Sequence, residues 1–246
     1  MPPAMPGDIA PKGGLFDLLR EANRADWEAY VAHQFVRQLA DGTLPRAAFR
    51  CYLVQDYLFL IQFARAYALA AYKADTIADM RQAAGAMAAI LDQEMSLHVK
   101  FCAGWGLSVA DMEAVPEAPQ CMAYTRFVLE AGHAGDLLDL LVALAPCVVG
   151  YAEIALRLIA DLDGKLGENP YREWIETYAG AEYQALARAA VEQLDRVHLR
   201  RAGAGRFPAL SRLFQGATRL EAGFWQIGFD AVQDCYRSKS DTVNST

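Results

Sequence analysis

A chain of 246 residues with 54% hydrophobic and 22% charged side chains holds enough apolar material for a substantial core, which excludes disorder over most of its length. Its net charge of −7 disfavours nonspecific attraction to nucleic acid or anionic membrane and points to a small-molecule partner. Five cysteines, at 51, 102, 121, 147 and 235, form no CxxC pair, so neither a disulfide framework nor a zinc ribbon follows and a reducing cytoplasm is expected.

Residues 1–13 are rich in Pro and Gly without signal-peptide grammar and are expected to form a flexible tail. Residues 16–40 carry an apolar stripe at helical spacing (Leu18, Leu19, Ala22, Trp27, Tyr30, Val31, Phe35, Leu39), which predicts one helix ending at Asp41-Gly42. Thr43 and Pro45 suit the start of a second helix running to about residue 74. A third is expected over 77–105, stopping at Gly106, and Ser108 with Asp111 forms a capping pair for a short helix. Pro116 and Pro119 mark a loop before a helix over 121–131, and a small-residue turn leads into the most apolar stretch, 137–162. That stretch carries Asp139, Glu153, Arg157 and Asp161, so it reads as a core helix rather than a membrane span. Helices follow over 171–178, 181–201 and 208–236, with 237–246 as a polar tail. Strand signals are nearly absent, and long helices joined by short links predict a single all-α bundle domain over 14–236.

Four places in this pattern bear chemistry. Cys147 follows Pro146 inside the core helix; alone it reads first as a small buried hydrophobe and second as a nucleophile at a helix break. Tyr151 lies one turn further along the same face, while Glu153 turns away toward Arg157. Asp56 shares a helical face with Tyr52, Phe59 and Phe63; a carboxylate in such company needs a partner, either a ligand's amino group or ring nitrogen, or an internal one such as Arg65 or a tyrosine hydroxyl. Glu221 precedes Phe224 and Trp225, and is either a surface residue beside Arg219 or a carboxyl raised by an aromatic pocket to act as general acid and base. Glu94 and His98, four apart, read first as a structural hydrogen bond and second as metal ligands, since no complete carboxylate-rich set accompanies them. Nucleophile-elbow and phosphate-loop motifs are missing.

Taken together, Tyr52-Leu-Val-Gln-Asp-Tyr-Leu-Phe59 with Phe63, Glu94-Met-Ser-Leu-His98, Ala123-Tyr-Thr125, Pro146-Cys147 with Tyr151, Trp174-Ile-Glu-Thr-Tyr178 and Glu221-Ala-Gly-Phe-Trp225 resemble the TenA family, thiaminase II enzymes of the haem-oxygenase-like helical fold. The resemblance covers nearly the whole chain, with the motifs in the family's order. It implies that Cys147 is the nucleophile, that Glu221 handles protons and that Asp56 grips an aminopyrimidine. It also implies that Phe59, Tyr124, Tyr151 and Tyr178 surround the ligand. Phe59 stands where some members carry tyrosine, and Val148 and Val149 stand where others place an aromatic pair. The implied reaction converts 4-amino-5-aminomethyl-2-methylpyrimidine, or thiamin, to 4-amino-5-hydroxymethyl-2-methylpyrimidine, in a homotetramer without metal or cofactor. The rival readings are a metal-dependent oxidase or oxygenase of the same fold using Glu94 and His98, and a noncatalytic pyrimidine-binding regulator.

Overall fold

A computed structural model describes residues 9–162, 166–203 and 205–243, with side chains through residue 233. Every regular element among the described residues is helical. Where one helix is expected over 16–40 the chain forms three: α1 (Leu15–Ala22), α2 (Arg24–Val31) and α3 (Gln34–Asp41). The first break falls at Asn23, whose backbone leaves the helical region and whose amide donates to Leu19 O and to Ser211 Oγ. The second falls at His33, whose ring accepts the Phe35 N–H as an N-cap. These side chains offer the backbone local alternatives, which an apolar stripe does not reveal.

The second helix, α4 (Arg46–Lys73), begins just after Pro45 as expected. The expected helix over 77–105 is instead α5 (Ile77–Ala89), a π-helical turn (Ile90–Glu94) and α6 (Met95–Ala103). Ser108 and Asp111 cap α7 (Val109–Glu113) reciprocally. Pro119 starts α8 (Pro119–Ala134) instead of ending the loop, because its missing N–H is no loss in a first turn. The chain continues through α9 (Leu137–Asp161), α10 (Arg172–Ala179) and α11 (Ala181–Arg201) to α12 (Phe207–Val243), which passes the expected end near 236. Most of the expected N-terminal tail and the last three residues lie outside the described residues; Ile9 and Ala10 are buried.

α9 is long and apolar enough to cross a membrane, yet it packs against α8, α10, α11 and α12 and is buried along almost its whole length. Glu153, buried within it, is satisfied by Arg157, Arg20 and the Trp27 indole, so a charge in the core helix keeps its partners. α4 lies against α12 and α8, and α5 and α6 close its other side. Two long buried helices, α4 and α9, therefore share α12 and α8 as neighbours, and the site is built where these four meet.

Candidate active site

Cys147 sits on α9 one residue after Pro146, which contributes no N–H to the helix. The Tyr30 hydroxyl reaches the Pro146 carbonyl at 3.4 Å, and its ring lies flat on Trp225, 6.2 Å between centroids. The ring fits there because residue 150 is glycine: a Cβ would overlap the Tyr30 ring. An aromatic wedge from α2 thus holds the turn that carries the thiol.

Helical spacing puts Tyr52, Asp56, Phe59 and Phe63 on one face of α4. Phe59 stacks on Phe63 and on Tyr124 of α8, 5.0 Å in each case, and meets Phe224 of α12 edge-on at 5.5 Å. The Tyr124 hydroxyl donates to Glu221 Oε1 at 2.8 Å, and the Cys147 thiol lies beside the same carboxyl. Tyr151, one turn from Cys147, lies 3.2 Å from the Tyr52 hydroxyl and packs on Tyr178 of α10 at 5.0 Å. The Tyr178 hydroxyl donates to Glu94 Oε1 at 2.9 Å.

Asp56 Oδ2 accepts the Tyr52 hydroxyl at 3.2 Å and lies 2.7 Å from His98 Nε2. The other ring nitrogen, Nδ1, is 2.8 Å from the Glu94 carbonyl, which only accepts, so Nδ1 carries a hydrogen. Burial pulls the His98 pKa down, but the hydrogen bond and charge of Asp56 outweigh it and leave the pKa raised. The ring thus bridges the Asp56 carboxyl and the Glu94 backbone. Asp56 Oδ1 accepts no hydrogen bond among the described residues, which leaves one carboxylate oxygen for a ligand's amino or protonated ring edge.

A cavity of about 390 Å³ opens above Cys147, lined by Phe63, Tyr67, Glu94, Val148, Tyr178 and Tyr183 among others. Burial raises Glu221 to about 8, with the Asp56 charge adding and the Tyr124 hydrogen bond opposing. Burial and then the Glu221 charge hold the Cys147 thiol well above its ordinary value. The free thiol is therefore not a standing thiolate. It loses its proton only as a neighbouring base accepts it, and Glu221 is the carboxyl in contact.

The sequence profile of the TENA/THI-4/PQQC family matches residues 20–231. The chain belongs to this family. It is similar to a TenA family transcription regulator from Silicibacter sp. TM1040, with 48% identity and a TM-score of 0.83 over 89% of this chain and 97% of that one. It is 41% identical to an uncharacterized protein of Haemophilus influenzae, over 83% of this chain and 94% of the relative. An aminopyrimidine aminohydrolase of Halalkalibacterium halodurans is 33% identical over 86% of this chain and 94% of its own length.

Of the site residues expected from the TenA resemblance, Cys147 and Tyr178 line the cavity, while Asp56, Phe59, Tyr124, Tyr151 and Glu221 pack behind them in one connected cluster. Arg65 is not the partner of Asp56: it is exposed and bonds Gln62, and His98 takes that place. Glu221 is not a surface residue beside Arg219, because α12 turns residue 221 inward while Arg219 pairs with Asp26. Glu94 and His98 do share a hydrogen bond, through the Glu94 backbone. Val148 faces the cavity, whereas Val149 is fully buried and does not line it. Tyr67 and Tyr183 escape a sequence reading, Tyr30 enters it only as part of the apolar stripe, and Glu94 enters it as the neighbour of His98 and not as the acceptor of the Tyr178 hydroxyl. For the Tyr30 wedge the small residue at 150 is the only signal, and it becomes one only when α2 is placed against α9.

Proposed function

We propose that this chain is a hydrolase of thiamin salvage that converts 4-amino-5-aminomethyl-2-methylpyrimidine, with thiamin as a second substrate, to 4-amino-5-hydroxymethyl-2-methylpyrimidine through a Cys147 nucleophile. The carrying observation is the Cys147 thiol lining the cavity beside a Glu221 carboxyl raised to about 8. The similarity to an aminopyrimidine aminohydrolase supports the substrate class.

In this mechanism the Cys147 sulfur bonds to an electron-poor ring carbon as its proton passes to ionised Glu221. The bond between the exocyclic methylene and the leaving nitrogen breaks, its electron pair stays on nitrogen, and Glu221 returns the proton there, releasing ammonia. Water then adds to the methylene and gives a proton to Glu221. The carbon–sulfur bond breaks, and sulfur recovers that proton. One proton cycles through Glu221, and the sum is amine plus water to alcohol plus ammonia. Asp56, steadied by His98 and Tyr52, holds the amino edge of the ring, and Phe59, Tyr124, Tyr151 and Tyr178 exclude water around it.

We further propose a cytoplasmic homotetramer with one catalytic domain over residues 14–236. Four cysteines free of disulfides support the compartment, and the exposed side chains of Tyr72, Ile77 and Met80 on α4 and α5 support association. The test is incubation with the aminomethylpyrimidine and, separately, with thiamin, followed by mass spectrometry. Release of hydroxymethylpyrimidine is expected. The name of the relative from Silicibacter raises a second reading, a ligand-binding regulator, which predicts tight pyrimidine binding with no product.

A further inference from the structure

The cavity above Cys147 carries a charge pattern that the roles of Cys147 and Glu221 leave unused. Two carboxylates, Glu94 and Glu182, line it, and no lysine or arginine is among its lining residues. Glu94 is the last residue of the π-helical turn, a feature found often at functional sites because it displaces side chains from the regular helical period. Its Oε1 accepts the Tyr178 hydroxyl at 2.9 Å, and its Oε2 accepts no hydrogen bond among the described residues. Four aromatic rings share the chamber. Tyr178 and Tyr183 meet edge to face at 4.7 Å, and Tyr67 meets Phe63 in the same way at 5.4 Å.

A carboxyl serving only to fix Tyr178 needs one oxygen and no opening to a cavity. A carboxyl with a spare oxygen, facing a chamber of aromatic rings without any cationic residue, is the chemistry that receives a cation, by charge pairing and by attraction to the ring faces. Burial, with the Asp56 charge adding, raises Glu94 to about 7, so a bound cation repays its cost by holding the ionised form. Asp56, behind the cavity wall, is already paired with His98. The two carboxylates therefore divide the work: Asp56 for the ring edge, Glu94 for what the ring carries.

We propose that Glu94, with the rings of Tyr67, Tyr178 and Tyr183, forms a subsite for a cation attached to the exocyclic methylene of the pyrimidine. The two sources of that cation are the ammonium of the aminomethyl compound, which passes one proton to Glu94 before the carbon–nitrogen bond breaks, and the thiazolium ring of thiamin. The proposal rests on the hydrolase reading and deepens it, by assigning a place to the leaving group.

The test compares three ligands that share the pyrimidine: the aminomethyl compound, thiamin and the neutral hydroxymethyl compound. Dissociation constants are measured calorimetrically in Cys147→Ala, which blocks turnover, and in Cys147→Ala/Glu94→Gln. Glutamine keeps an oxygen for the Tyr178 hydroxyl, and circular dichroism checks that both proteins fold alike. The subsite predicts that Glu94→Gln weakens the two cationic ligands at least tenfold and the neutral one less than twofold. Loss confined to one cationic ligand assigns the subsite to that cation. Equal weakening of all three ligands, or of none, overturns it. Absence of turnover by the wild type sinks the hydrolase reading, and the binding comparison still decides whether Glu94 senses the cation.

Discussion

Replacing Glu221 by glutamine changes how stability depends on pH. In the unfolded chain this carboxyl titrates near its ordinary 4.5, and in the folded chain near 8. A carboxyl raised by folding binds its proton more tightly in the folded state. Its contribution is therefore whole below about 4.5 and is lost as pH rises through about 8. At about 1.4 kcal/mol per pH unit the interval sets an upper limit of about 5 kcal/mol, and reorientation of the surrounding dipoles around the ionised carboxyl brings the expected loss to about 2–3 kcal/mol. Glutamine stays neutral throughout and retains an oxygen for the Tyr124 hydroxyl. Urea unfolding followed by tryptophan fluorescence, at fixed protein concentration across pH 5 to 9, should show the wild type losing stability more steeply than Glu221→Gln. The variant should become the more stable protein at the alkaline end. Glu94, raised to about 7, adds the same slope to both proteins, so the difference isolates Glu221. Parallel curves would refute the claim that burial holds this carboxyl protonated.

Gly150→Ala should destabilise the fold by about 1–3 kcal/mol and lower kcat, because the new methyl overlaps the Tyr30 ring that wedges the Cys147 turn; thermal melting and steady-state kinetics check both. His98→Gln should raise the dissociation constant for hydroxymethylpyrimidine about tenfold or more, since Asp56 loses the partner that fixes its carboxylate. A value unchanged in calorimetry would show that His98 serves the core and not the ligand.

The helical architecture is legible because apolar periodicity is a local property. α4, α9 and α11 lie where their stripes and caps place them, and the Ser108–Asp111 capping box follows from two side chains three residues apart. Cys147, Asp56 and Glu221 are legible through motif order. The partners that give them chemistry are not. His98 reaches Asp56 from 42 positions away, and Tyr124 reaches Glu221 from 97. Such contacts depend on how helices pack, which no spacing within one helix records. The π-helical turn is hidden for a related reason: one extra residue in a turn shifts the following face by about 100°, while the apolar pattern stays compatible with a single helix. Asn23 and His33 interrupt the first stripe by side-chain hydrogen bonds that hydropathy does not register.

The most direct measurement of the central claim is rapid-quench intact-protein mass spectrometry during turnover of the aminomethylpyrimidine, with peptide mapping, in the wild type and in Cys147→Ala. The account predicts a transient adduct on Cys147 with the mass of the substrate less ammonia, and no adduct or product release in Cys147→Ala. Hydrolysis by Cys147→Ala at the wild-type rate would contradict it.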